Sequence, residues 1–90
     1  MKTVYIVENE WFDGGETHIE QKKYKNIKLA KKAVQKLVEE ARESLRKIFP
    51  NEIIVETTSK EENYEEYDLY VENDNEEQYD IISITKIKED

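Results

Sequence analysis

The sequence predicts an α+β fold in which one long helix packs on one face of an antiparallel sheet of about five strands. Three observations carry this. Residues 26–49 repeat apolar side chains at steps of three and four, the period of a helix with one buried face. Five other segments are short, rich in Tyr, Val, Ile and Thr, and separated by turn-forming residues, which is the pattern of strands. The resulting order, β-β-α-β-β-β, holds one amphipathic helix, enough to cover one face of one sheet. The other face is then solvated or set against a partner.

Each element has its own signal. Residues 3–12, TVYIVENEWF, are β-branched and aromatic and read as the first strand. Asp13-Gly14-Gly15 marks a tight turn, because glycine accepts the positive φ that short hairpins need. Residues 16–24, ETHIEQKKY, alternate weakly and pair back as the second strand. In residues 26–49, Ile27, Ala30, Val34, Leu37, Ala41, Leu45 and Ile48 form one stripe, widened by Ala33, Val38 and Phe49. Asn26 is the N-cap, and Pro50 ends the helix by restricting Phe49 and lacking an N–H. Residues 52–58 form the third strand and 59–63, SKEEN, a polar loop. Residues 64–72, YEEYDLYVE, form the fourth, with Tyr67, Leu69 and Val71 on one face. Asn73-Asp74-Asn75 is a turn, and residues 77–87 form the fifth strand.

The 90 residues make one domain, and they contain no cysteine. Disulfides, thiolate–metal sites and cysteine nucleophiles are therefore excluded, and a reducing compartment is expected. The opening run MKTVYIVENEWF is broken by Glu8 and Glu10 and reads against a signal peptide. No stretch approaches the roughly 20 apolar residues of a membrane span. The expectation is a soluble, cytoplasmic protein that does not contact a membrane.

The net charge of −8 is unevenly placed. Residues 26–50 carry a net +4, whereas residues 51–90 carry −11. Residues 61–80 hold ten acids and no Lys or Arg. Direct binding of nucleic acid is disfavoured, because like charges repel and no counterions are released. A basic protein surface is the complementary partner. Side chains on one strand face repeat at about 6.6–6.8 Å, close to the spacing of successive phosphates along a strand of nucleic acid. Carboxylates in two such rows would occupy a basic groove, with steering to speed the encounter. The residues expected to bind are Glu65, Glu66, Asp68, Glu72, Asp74, Glu76 and Glu77 for charge, with Tyr67 and Tyr70 as anchors. The competing explanation is that the acids only keep a small β-rich protein soluble and discourage edge-to-edge pairing.

Catalytic and metal chemistry find little support. His18, the single histidine, shares a strand face with Glu20, but two ligands fall short of a tetrahedral zinc site. Ser44, Ser59 and Ser83 sit in no nucleophile-elbow context. The Asn73–Glu77 segment lacks the length and central Gly of an EF-hand. Gly14-Gly15 precedes a strand pattern, not the helix N-terminus a phosphate cradle needs. The expectation is a chain with no enzyme activity, no metal and no cofactor. Trp11 and Phe12, being adjacent on a strand, point to opposite faces. One of them can enter the core, and the other lies on the open face or near the hairpin tip, in an aromatic cluster or a contact patch.

The segments TVYIVENEWFDGGETHIE and LAKKAVQKLVEEARE resemble a loose group of short uncharacterised proteins of low-GC Gram-positive bacteria and their phages and mobile elements. The resemblance covers about half the chain and implies no activity. In style (short, acidic, one domain) the chain is also similar to anti-CRISPR and other anti-defence inhibitors, which block nucleic-acid or partner surfaces. The expected function is a non-enzymatic inhibitor, of anti-CRISPR or nucleic-acid-mimic type, that blocks a basic surface of a nucleic-acid-handling protein. The alternative is a small oligomerisation or regulatory module that pairs its open sheet face with a second copy as a homodimer.

Overall fold

In the computed structural model, residues 2–12, 15–72 and 78–89 are described. The elements are β1 (Lys2–Phe12), β2 (Thr17–Tyr24), α1 (Ile27–Ile48), β3 (Ile54–Glu61), β4 (Tyr64–Val71) and β5 (Tyr79–Glu89). The strands form one antiparallel sheet in the order β2-β1-β5-β4-β3. The α+β class and the β-β-α-β-β-β order read from the sequence are those of the structure. The expected turns at Asp13-Gly14 and at residues 73–75 lie outside the described residues.

The helix begins and ends where its local chemistry directs. Asn26 Oδ1 accepts from the backbone N–H groups of Lys28 at 2.8 Å and Leu29 at 3.3 Å, satisfying two of the amides a helix start leaves bare. At the other end the Phe49 N–H donates to the Leu45 carbonyl at 2.8 Å, and Pro50 follows. Arg46 and Lys47 occupy the last turn, where positive charge meets the negative end of the helix dipole.

Strand alternation assigns the faces. Val7, Ile82, Ile84, Leu69 and Val71 point to the helix and join Ala30, Val34, Ala41 and Leu45 in the core, with Ile82 and Ala30 fully enclosed. Tyr5, Tyr24, Leu37, Val38, Phe49, Ile54 and Tyr67 pack around this cluster. Because β2 and β3 are the two edges of the sheet, the helix that joins them has to cross its width, about 19 Å for four strand spacings. It enters from Tyr24 and leaves toward Ile54, so the far end of β1 and β2, which carries Trp11 and His18, lies away from both ends of its path. Trp11 is not among the residues of the described core.

The largest boundary difference from the sequence reading is in the third strand. The expected loop at 59–63 is mostly strand: Ser59, Lys60 and Glu61 pair with Glu66, Glu65 and Tyr64, and only Glu62 and Asn63 form the turn. The polar composition that suggests a loop belongs instead to an exposed edge strand, where charged side chains discourage further pairing. The opposite charges of Lys60 and Glu65, directly across the ladder, favour this register.

Candidate partner-binding face

The face of the sheet away from the helix is built from the other alternation set. On β1 this set is Val4, which is buried, followed by Ile6, Glu8, Glu10 and Phe12, and on β4 it is Tyr64, Glu66, Asp68 and Tyr70. Between them β5 contributes Tyr79, Ile81, Ser83, Thr85 and Ile87. The register sets Glu8, Ser83 and Glu66 in one row across the three strands, and Glu10, Ile81 and Asp68 in the next. Two columns of carboxylates therefore stand on either side of β5, about 9.6 Å apart, with about 6.7 Å between members of a column.

Neutral donors hold three of these four acids. Gln21 Nε2 donates to Glu8 Oε1 at 2.5 Å, Tyr79 OH to Glu10 Oε2 at 3.3 Å, and Tyr64 OH to Glu66 Oε1 at 2.6 Å. Each carboxylate is thus oriented without being neutralised. On the helix side the pattern is different: Glu56 on β3 is met by Arg42, whose Nε and Nη2 each donate at 2.7 Å. That pairing lowers the Glu56 carboxyl below its usual range, the hydrogen bond from Arg42 being the main cause, and raises Arg42. On the open face Lys23, on the β2 edge opposite Ile6, pairs with Glu89 at 2.8 Å.

Burial and crowding of like charge act together on this face. Burial pushes the Asp68 carboxyl up to about 6, helped by a hydrogen bond to Glu66 and by that residue's charge. A bond between two carboxyl groups requires one of them to be protonated. Asp68 Oδ1 is shielded from water and has no hydrogen-bond partner, which penalises the ionised form further. Tyr64 is raised, first by its bond to Glu66 and then by burial.

The structure divides the residues singled out from sequence. Glu66, Asp68 and Tyr70 share the open face, and exposed Glu72 follows the end of β4. Glu65 and Tyr67 lie on the helix side, where Tyr67 packs on the core and its OH donates to Glu65 Oε2 at 2.9 Å. Burial, with Glu65 second, raises the Tyr67 hydroxyl. Asp74, Glu76 and Glu77 lie outside the described residues. Glu8 and Glu10 were missed as site residues, although the alternation in VENE already places both opposite Val7.

The two adjacent aromatics separate as expected. Phe12 is on the open face, stacked on Tyr79 with centroids 5.9 Å apart. Trp11 is on the helix side and stacks on His18 at 5.0 Å. His18 Nε2 also lies 3.8 Å from Glu16 Oε2. Among the described residues, no three His, Asp or Glu side chains gather as metal ligands would, and no helix is long and apolar enough to cross a membrane. No family model matches the chain, and neither a curated protein nor a solved structure matches it.

Proposed function

We propose that the chain is a non-enzymatic acidic binding protein whose open sheet face docks on a basic surface of a nucleic-acid-handling protein, as an inhibitor of the anti-CRISPR or nucleic-acid-mimic kind carried by a phage or mobile element. The observation that carries this reading is the way Glu8, Glu10 and Glu66 are each fixed by an uncharged donor. A solubilising surface needs charge but not orientation. Oriented carboxylates whose charge is left intact meet a cationic partner with less ordering on contact. Phe12, Tyr79 and Tyr70 at one end of the face add rigid contact area of the kind enriched at interfaces.

The test is a pull-down with tagged protein from a lysate of its own host, washed at low and then high salt, beside a Glu8→Lys/Glu10→Lys variant. The reading expects a nucleic-acid-binding partner that is released by salt and not captured by the variant. A partner retained through both changes overturns it.

A second reading rests on the apolar content of the same face. Ile19 is 57% exposed and Tyr70 40% exposed there, and these with Phe12 offer a patch on which a second copy would pack. Light scattering separates the two: a dimer insensitive to salt favours self-association, a monomer favours the acidic docking face.

A further inference from the structure

Trp11 and Asp80 lie directly opposite one another on β1 and β5, on the helix side of the sheet, with His18 opposite Trp11 on β2. The indole and imidazole planes are 18° from parallel with centroids 5.0 Å apart. That separation is about one strand spacing. The ring stack therefore runs across the strands, His18 covers one face of the indole, and the other face is turned toward β5, where Asp80 stands. An aspartate is far shorter than a tryptophan, so side-chain length sets its carboxylate low beside the indole in the next strand. On the far side of Asp80 is Leu69, which is buried.

Asp80 is half-buried, yet it makes no hydrogen bond or ion pair with the described residues, and burial alone acts on its carboxyl, pushing it up to about 6. A carboxylate in partly dry surroundings without a donor is a charge waiting for a counterion. Its aromatic neighbour narrows the kind of counterion.

We propose that Trp11 and Asp80 form a recognition slot for a guanidinium group, the arginine side chain of a protein partner, whose plane lies on the indole while its N–H groups donate to the carboxylate. Arginine fits better than lysine. Its planar, weakly hydrated cation stacks on an aromatic face and matches a carboxylate with two parallel donors, whereas an ammonium is a compact, strongly hydrated point charge. The stack on His18 keeps the indole upright as the wall of the slot. The site lies on the opposite side of the sheet from the acidic face, so either assignment stands if the other fails.

Trp11 is the sole tryptophan, and its fluorescence reports on the slot directly. The probe is N-acetyl-arginine amide, with the neutral citrulline analogue as control. Saturable quenching is expected at about millimolar concentration, as befits a single side chain, with no saturable response to citrulline and at least tenfold weaker arginine binding in D80N. In the wild-type protein, where no variant has to fold, arginine should also lower the midpoint of the Asp80 carboxyl resonance in an NMR pH titration. Equal quenching by the two probes, no saturable quenching, full affinity in D80N, or an Asp80 midpoint that ignores arginine would each overturn the assignment.

Discussion

Arg42 on the helix and Glu56 on the edge strand β3 face each other as a two-pronged pair, both hydrogen bonds being 2.7 Å long. The contact ties the helix to the strand that follows it, across the margin of the core. Both side chains are about one-third exposed, so water and salt screen the attraction. A double-mutant cycle with Arg42→Met and Glu56→Gln should give a coupling of about 0.5–1 kcal/mol, falling as salt is raised. A coupling near zero at low salt would show that the pair is incidental.

The pH dependence of stability follows from the directions of three carboxyl groups. Asp68 and Asp80 are raised to about 6 from 3.8, so the folded state holds their protons more tightly. Their contribution is full below pH 3.8 and is lost as pH rises to about 6. Glu56 is lowered from 4.5, so its contribution is present above 4.5 and is lost as pH falls through the folded value. Stability should therefore be higher at pH 5 than at pH 7. Both aspartates are partly exposed, and after discounting for solvent the loss is about 1 kcal/mol each. Urea denaturation of D68N/D80N at the two pH values should show that loss removed, since an amide imitates the protonated acid. Equal wild-type stability at pH 5 and 7 would contradict the assignment.

The fold was legible because its signals are local and periodic. The stripe from Ala30 to Leu45 dictates the buried helix face, and Asn26 and Pro50 bracket it within a residue or two. Tyr67, Leu69 and Val71 share a face as their spacing requires. The site was only partly legible, for a reason of distance. A block of acids in sequence suggests one acidic surface, but alternation sends Glu65 to one side of a strand and Glu66 to the other. The acids that stand opposite Glu66 and Asp68 come from β1, nearly 60 residues earlier. Pairing of the first strand with the last, which brings Glu8 level with Ser83, is a long-range event that no local pattern announces.

Asn9 offers a stabilising change. Its side chain is on the helix side of β1, opposite fully buried Ile82, and its Oδ1 is shielded from water with no hydrogen-bond partner. An unmet acceptor in such a place costs about 1–3 kcal/mol. Asn9→Val removes it and supplies a β-branched side chain suited to a strand. Thermal and urea unfolding should both show a gain of about 1 kcal/mol. A destabilised variant would mean that the amide nitrogen makes contacts worth more than the orphaned oxygen costs.

The tyrosine donors on the open face separate orientation from charge. Tyr64→Phe and Tyr79→Phe leave the net charge unchanged while removing the tyrosine bonds to Glu66 and Glu10. If the carboxylates act only as a diffuse negative field, the double variant should bind a basic partner as well as the wild type does. If orientation matters, as we propose, each lost bond releases one glutamate rotamer, and binding should weaken by about 0.5–1.5 kcal/mol per side chain. The loss should appear in the dissociation rate, because steering at a distance depends on the unaltered charge. Stability should fall by about 1 kcal/mol per hydroxyl at most. Surface plasmon resonance on the partner captured by the wild-type protein, run at two salt concentrations, decides the matter: an unchanged dissociation rate with an unchanged salt slope would reduce the face to bulk electrostatics.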